Sequence, residues 1–183
     1  MAVAQRMTCA KLIRVFARWA DDGVIARTLD FPGDDLITPA QFRCLEFLAH
    51  QERCSIGDVA DGLAISDPAA TKLVDRLESK GLVARHNDRV DRRVVHVELS
   101  GTGQGLAQKL NHRRADIIES AIQGLTSARL RSMARALEGV LISALDSPEV
   151  IARVCLRCGD GHSPDCVVNR AHMRVTGVEI GWL

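Results

Sequence analysis

The chain has 183 residues, room for one domain or one domain with a small appendage. Hydrophobic residues make up 46% and charged residues 26%, an ordinary balance for a globular chain, and no apolar run is long enough to span a bilayer. Net charge is only +1, so any nucleic-acid role must come from local arrangement, not from the total. The first twenty residues carry Arg6, Lys11, Arg14 and Arg18, which argues against a secretory leader and makes the cytoplasm the expected compartment. There, six cysteines read as thiols or metal ligands more readily than as a disulfide framework.

In chain order, Leu12, Ile13, Phe16, Trp19 and Ala20 recur at helical spacing, and Val24 and Ile25 extend the stripe. Pro32-Gly33 ends the connection that follows. Thr38-Pro39-Ala40-Gln41 combines an N-cap, proline at the first helical position and Gln at the third, so a second helix starts there. Its inward face is expected to be Phe42, Leu45, Leu48 and Ala49, with Cys44 in the core. Ser55 with Asp58 caps a short third helix that buries Val59, Ala60 and Leu63. Ala64-Ile65 forms a turn, and Ser66 caps a fourth helix, with Pro68 tolerated in its first turn. Ala70, Leu73, Val74 and Leu77 line its inner face, and Gly81 stops it.

Leu82 to Arg85 reads as a strand, and Val95, Val97 and Leu99 alternate with His96 and Glu98 as its partner. The polar stretch from His86 to Arg92 is the connecting loop. A fifth helix begins between Ser100 and Thr102, with a first turn weakened by Gly101, Gly103 and Gly105. It runs to about Gln123 and shows Leu106, Leu110, Ile117 and Ala121 on one face. A sixth, capped by Thr126, carries Leu130, Met133, Leu137, Leu141 and Leu145. These long apolar helices exceed what a small DNA-binding unit needs, and the first and last of the series could pair with a second copy. Ser147-Pro148 marks a boundary to a tail of different character.

Two short helices, a tight turn and a hairpin with a basic tip build a winged helix-turn-helix. The outer face of the fourth helix shows Ala69, Thr71, Lys72, Asp75 and Arg76, with Ser66, Asp67 and Pro68 at its N-terminus. Lys72 and Arg76 suit a guanine edge or a phosphate, and Thr71 a hydrogen bond or a thymine methyl. The hairpin tip, Arg89 and Asp91-Arg92-Arg93, suits the adjacent minor groove, with Asp91 holding an arginine in place. Between Ser66 and Arg93 seven Lys or Arg face five Asp or Glu. A solvated surface would fit that mild excess equally well, so the ordered combination carries the reading.

The stretches LITPAQFRCLEFLA, SIGDVADGLAISDPAATKLVDRLESKGLVAR and DRVDRRVVHVELSGTG resemble the MarR family of bacterial transcriptional regulators over about residues 10 to 145. The resemblance implies a homodimer held by the terminal helices and a pseudo-palindromic double-stranded operator. It also implies repression lifted by a ligand, metal or oxidant, with ligand pockets between the dimer helices and the winged helix. Family DNA contacts correspond here to Ser66, Thr71, Lys72 and Arg76 on the helix and to Arg92 and Arg93 on the wing. The expected fold is mainly α (α+β): an N-terminal dimerisation helix over 1–37, a winged helix-turn-helix over 38–99, dimerisation helices over 100–146 and a metal-binding appendage over 147–183.

That tail carries Cys155-x2-Cys158-x3-His162-x3-Cys166, with His172 close behind. Three thiols and an imidazole at this spacing suit tetrahedral zinc, with His172 as an alternative fourth ligand. An iron–sulfur cluster, a metal-free thiol switch and a loop with incidental cysteines remain alternatives. Two other functions also stand against the DNA reading: a metal- or thiol-based redox enzyme on this scaffold, and a protein–protein adaptor. A filled zinc shell would leave no open position for water, and no nucleophile–base pair is evident elsewhere.

Overall fold

The computed structural model describes residues 2–30, 37–51, 53–87, 95–158, 163 and 165–179. The chain starts with α1 (Ala2–Arg18), a π-helical turn (Trp19–Gly23) and α2 (Val24–Leu29), which run on without a break in helical backbone. Next come α3 (Pro39–Ala49), β1 (Cys54–Ser55), α4 (Ile56–Leu63) and α5 (Asp67–Ser79). The hairpin strands β2 (Val83–Asn87) and β3 (Val95–Leu99) lead into α6 (Gly101–Ile122) and α7 (Ser127–Ala144), then α8 (Pro148–Arg157) and α9 (Val167–Thr176).

Local chemistry sets most of these boundaries. Thr38 and Gln41 form a reciprocal capping box at α3, and Ser55 and Asp58 form another at α4. Ser100 caps α6 through the Gly103 amide, and Thr126 caps α7 through the Arg129 amide. Ser66 holds the N-cap position of α5, but its side chain makes no cap hydrogen bond, unlike the cap expected from the sequence. Gly81, at φ +68°, lets the chain turn from α5 into the hairpin.

The three strands form an antiparallel sheet in the order β1-β3-β2. Val83 pairs with Leu99 and Asn87 with Val95, so β2 runs two residues beyond the end expected at Arg85. β1 was not expected; Cys54 pairs with Val97 and Ser55 with His96.

The main core joins α3, α4, α5, the sheet and α6 around Leu45, Val59, Val74, Leu77 and Val97, all almost fully buried. Burying each such side chain stabilises the fold by roughly 1.5–3 kcal/mol. A second cluster of Ile25, Phe42 and Leu110 fastens α2 and α6 to α3. Ala49 and Ala121, expected inside, are exposed; each lies in the last turn of its helix, Ala49 as the final residue of α3 and Ala121 next to the final residue of α6.

Glycine fits at two close approaches. A Cβ on Gly62 would lie 2.4 Å from Phe47 Cε2, so Gly62 lets α4 press against α3. A Cβ on Gly103 would lie 1.9 Å from the Leu82 carbonyl oxygen, so the glycine read as a weak point is required where α6 crosses the hairpin.

The tail departs most from expectation. Ser147-Pro148 is a helix start: Ser147 caps α8 through the Val150 amide, and Pro148 occupies the first turn. α8 and α9 pack as a hairpin around Leu145, Ile151, Val168 and Ala171. α9 lies against α7, and α8 reaches α4.

Candidate nucleic-acid interface

The helix-turn-helix is α4, a turn at Ala64–Ile65, and α5. Ala64 adopts the left-handed conformation at φ +55°, a strained choice for a residue with a Cβ. It is held by backbone bonds from Ala64 N to Asp61 O at 3.2 Å and from Ile65 N to Ala60 O at 3.0 Å.

α5 buries Ala70, Leu73, Val74 and Leu77, as the sequence spacing predicts. Ser66, Ala69, Thr71, Lys72, Asp75 and Arg76 are all exposed. The structure thus gathers the four helix residues expected to touch DNA on the solvent side of one helix. The Ser66 hydroxyl is not spent on capping. The Thr71 hydroxyl donates to the Asp67 carbonyl at 2.9 Å, which turns its methyl and its remaining lone pairs outward. The wing residues Arg89, Asp91, Arg92 and Arg93 lie outside the described residues.

Sequence reasoning missed the part played by Arg85. It stands on β2, its side chain a quarter exposed, and pairs with Asp75 at 2.6 Å and Glu78 at 2.9 Å, both on α5. One guanidinium therefore ties the wing strand to the helix beside it, using the fork geometry that lysine lacks. On the hairpin, His86 Nε2 meets Glu98 Oε1 at 2.8 Å. The signal for Arg85 was its spacing from Glu78, which only the hairpin fold converts into contact.

A cavity of about 490 Å³ opens beside this unit, bounded by the π-turn, α3, the end of α4, α6 and α8. Its walls are apolar at Ile25, Phe47 and Leu156 and cationic at Arg43, Arg114 and Arg157. Arg114 is fixed by the Glu46 carboxylate and lies 5.9 Å from the centre of the Phe42 ring. Arg43 pairs with Asp21.

Of the tail residues, Cys155 and Cys166 are half-buried, Cys158 is exposed, and His162 lies outside the described residues. Burial raises the Cys155 thiol, and the neighbouring Cys158 and Cys166 raise it further. Cys166 is the N-cap of α9 and its sulfur accepts from the Asn169 amide at 3.2 Å. His172 sits six residues further along α9, ~9 Å by helical rise. Its Nδ1 contacts the Val178 carbonyl at 2.9 Å, at the opposite end of the helix from Cys166. That placement does not favour His172 as the alternative fourth ligand. Among the described residues no three His, Cys, Asp or Glu side chains form a ready metal-binding group. Cys44 and Cys54 are core thiols beside each other, raised by burial to about 12.

No helix among the described residues is long and apolar enough to cross a membrane. The MarR family's sequence profile matches residues 37–94, from the entry to α3 through the wing. YsmB of Bacillus subtilis, an uncharacterised HTH-type transcriptional regulator, is 28% identical over 101 residues, covering 55% of this chain and 69% of its own. MdtR of the same organism, an HTH-type transcriptional repressor, is 29% identical over 94 residues, covering 51% of this chain and 61% of its own. A MarR family protein from Bacillus stearothermophilus superposes with a TM-score of 0.65 at 24% identity, covering 76% of this chain and 95% of its own. Profile, relatives and fold agree with the α4–α5 unit and its hairpin: residues 37–94 match the MarR family, and the chain is similar in sequence and fold to winged helix-turn-helix transcriptional regulators.

Proposed function

We propose that the chain is a homodimeric repressor that reads a two-fold operator in cytoplasmic DNA and is released by a small molecule bound beside the winged helix. The observation that carries this reading is the outer face of α5, where Lys72 and Arg76 stand exposed beside an N-terminus whose Ser66 hydroxyl is uncommitted. Amides at a helix N-terminus favour phosphate, while the cationic side chains reach base edges or the backbone.

Dimerisation is supported by apolar surface that the single chain leaves uncovered. On α1, Leu12, Ile13 and Phe16 are 62%, 45% and 49% exposed. On α7, Leu137, Val140 and Leu141 are also exposed, and no residue of that helix is buried. A paired reader of this build places its half-sites about 10 bp apart, centre to centre. Repression is supported by MdtR, whose name describes that relative as a repressor. The cavity's apolar walls, with the Arg43–Asp21 and Arg114–Glu46 pairs among its lining, suit an amphipathic small molecule as the releasing ligand.

The test is duplex selection followed by binding titrations over a range of salt. Lys72→Ala should lower the log–log salt slope by about 2, because the dimer loses one phosphate contact from each protomer. Arg76→Ala should cost sequence preference as well as affinity. An Arg76→Ala chain that binds the selected duplex like wild type would remove α5 as the reading helix. Absence of any protected site in a footprint would favour the adaptor.

A further inference from the structure

Within one chain, α7 is held at two places. It follows α6 through the short turn at residues 123–126, in which Gln123 and Gly124 are exposed. Beyond that turn, α9 is its main neighbour among the described residues, and α7 buries no residue of its own. Two rigid helices joined by one short exposed turn can swing about it, because a few loop residues absorb the motion. A second connection removes that freedom.

The α8–α9 hairpin supplies that second connection and closes a ring. At the α7 end, Arg170 of α9 pairs with Glu138, and Arg174 of α9 donates to the Ile142 and Leu145 carbonyls. Leu145, the C-cap of α7, packs into the hairpin's own core with Ile151, Val168 and Ala171. At the other end, α8 lies against α4, and Leu156 packs on the main core. Beside it, Arg157 donates to the Gly62 carbonyl at 2.8 Å and to the Asp61 carbonyl at 3.1 Å. A guanidinium suits this double grip because its donors are fixed in one plane. The ring is completed through α6, whose Ala107 is buried in the same main core. Apolar packing and directional hydrogen bonds therefore anchor both ends of the hairpin.

On the dimeric reading proposed above, α7 pairs with a second copy, so the angle between α7 and α5 sets how the two reading helices stand along the duplex. We propose, resting on that reading, that the α8–α9 hairpin is a strut and Arg157 a positioning residue: together they fix this angle and so restrict the half-site spacing that the dimer accepts. The geometric demand is steep. Each base pair added between half-sites turns one of them by about 35° and moves it by about 3.4 Å. A reading head that swings on the turn after α6 can follow such a displacement, whereas one held in the closed ring cannot. The hairpin grips α4 and not the outer face of α5, so base preference within a half-site does not depend on it.

The test uses the full chain and duplexes carrying two copies of the half-site that the wild-type chain selects. The half-sites stand at the selected spacing or with a few base pairs added or removed between them. Wild type should lose at least about tenfold in affinity per base pair of displacement, the cost of one mismatched pair, and Arg157→Ala no more than about threefold. Both should select the same half-site sequence, and Arg157→Lys should recover part of the spacing dependence. The double variant Arg170→Ala with Arg174→Ala opens the ring at its α7 end, away from α4, and should flatten the dependence equally. Adding Arg157→Ala to it should change nothing more, because a ring is open once either end is cut. A wild-type spacing profile in both open-ring variants, an equal loss at every spacing, or additive flattening in the combined variant would overturn the proposal. A wild-type chain that selects a lone half-site and binds it as a monomer would overturn the dimeric reading itself, and the strut with it.

Discussion

Arg157 Nε donates to the carbonyl of Gly62 at 2.8 Å, across 95 residues of chain. A second guanidinium nitrogen reaches the Asp61 carbonyl at 3.1 Å. These are among the last carbonyls of α4, at its negative dipole end, and the Asp61 carbonyl also accepts from the Ala64 amide. Gly62 also gives α4 its tight seat on Phe47, so one residue receives both α3 and the tail.

Removing that cap should loosen the first helix of the helix-turn-helix. Arg157→Ala should cost about 1.5–3 kcal/mol, the range for hydrogen bonds to a charged group. Faster hydrogen exchange should be confined to the last turn of α4 and to α8. Arg157→Lys should recover only part of the loss, because a single ammonium does not reproduce the paired bonds. Exchange that changed equally throughout the chain would show that Arg157 supports the fold generally.

Arg85→Ala should separate stability from DNA binding. Its ion pairs with Asp75 and Glu78 are partly exposed and so contribute only about 0–1 kcal/mol each. Tm should therefore move little. Operator affinity should fall severalfold, because the wing strand loses its tie to the reading helix. Anisotropy titration and a thermal melt on the same sample check both halves.

Two glycines of α6 should respond in opposite directions. Gly103→Ala forces a methyl against the Leu82 carbonyl and should destabilise by about 1–3 kcal/mol or more. Gly105 has nothing within 4 Å of the added methyl, so Gly105→Ala should stabilise the helix by about 0.5–1 kcal/mol. Urea midpoints of the two variants give the comparison.

Cys44 and Cys54 should resist thiol reagents until the chain unfolds, while exposed Cys9 and Cys158 react first. Burial is the main cause of their raised values, from 9.0 to about 12, with Cys54 acting on Cys44 and Asp58 on Cys54. The native state thus keeps protons that the unfolded chain loses above pH 9.0. Their contribution to stability is complete below pH 9.0 and declines as pH rises toward about 12. Urea midpoints at about pH 8 and about pH 10.5 should differ less in Cys44→Ala than in wild type.

The winged helix was largely legible because its signals are local. Thr38 with Gln41 and Ser55 with Asp58 announce helix starts within four residues, and the inward face of α5 follows from spacing alone. β1 was not legible: two residues cannot show alternation, and its pairing to Val97 and His96 spans some forty positions. The helices of the tail were hidden by their own cysteines, which drew the reading toward a metal loop. Ser147-Pro148-Glu149, a cap, a proline and an acid in sequence, was the available sign of a helix start. Arg85 and Gly103 act across elements, so their partners appear only after folding.

Among the described residues, three helix ends are closed by arginines encoded downstream. Arg113 serves the end of α2 at Arg27 and Asp30, Arg157 the end of α4, and Arg174 the end of α7 at Ile142 and Leu145. Synthesis runs from the N-terminus, so each of these helices leaves the ribosome before the residue that finishes it. The helix-turn-helix and its wing are thus complete in sequence well before α4 is complete in structure. A nascent chain halted before Arg157 would display the reading helix on an unfinished support, which makes tail synthesis the last step in maturing the DNA-binding unit.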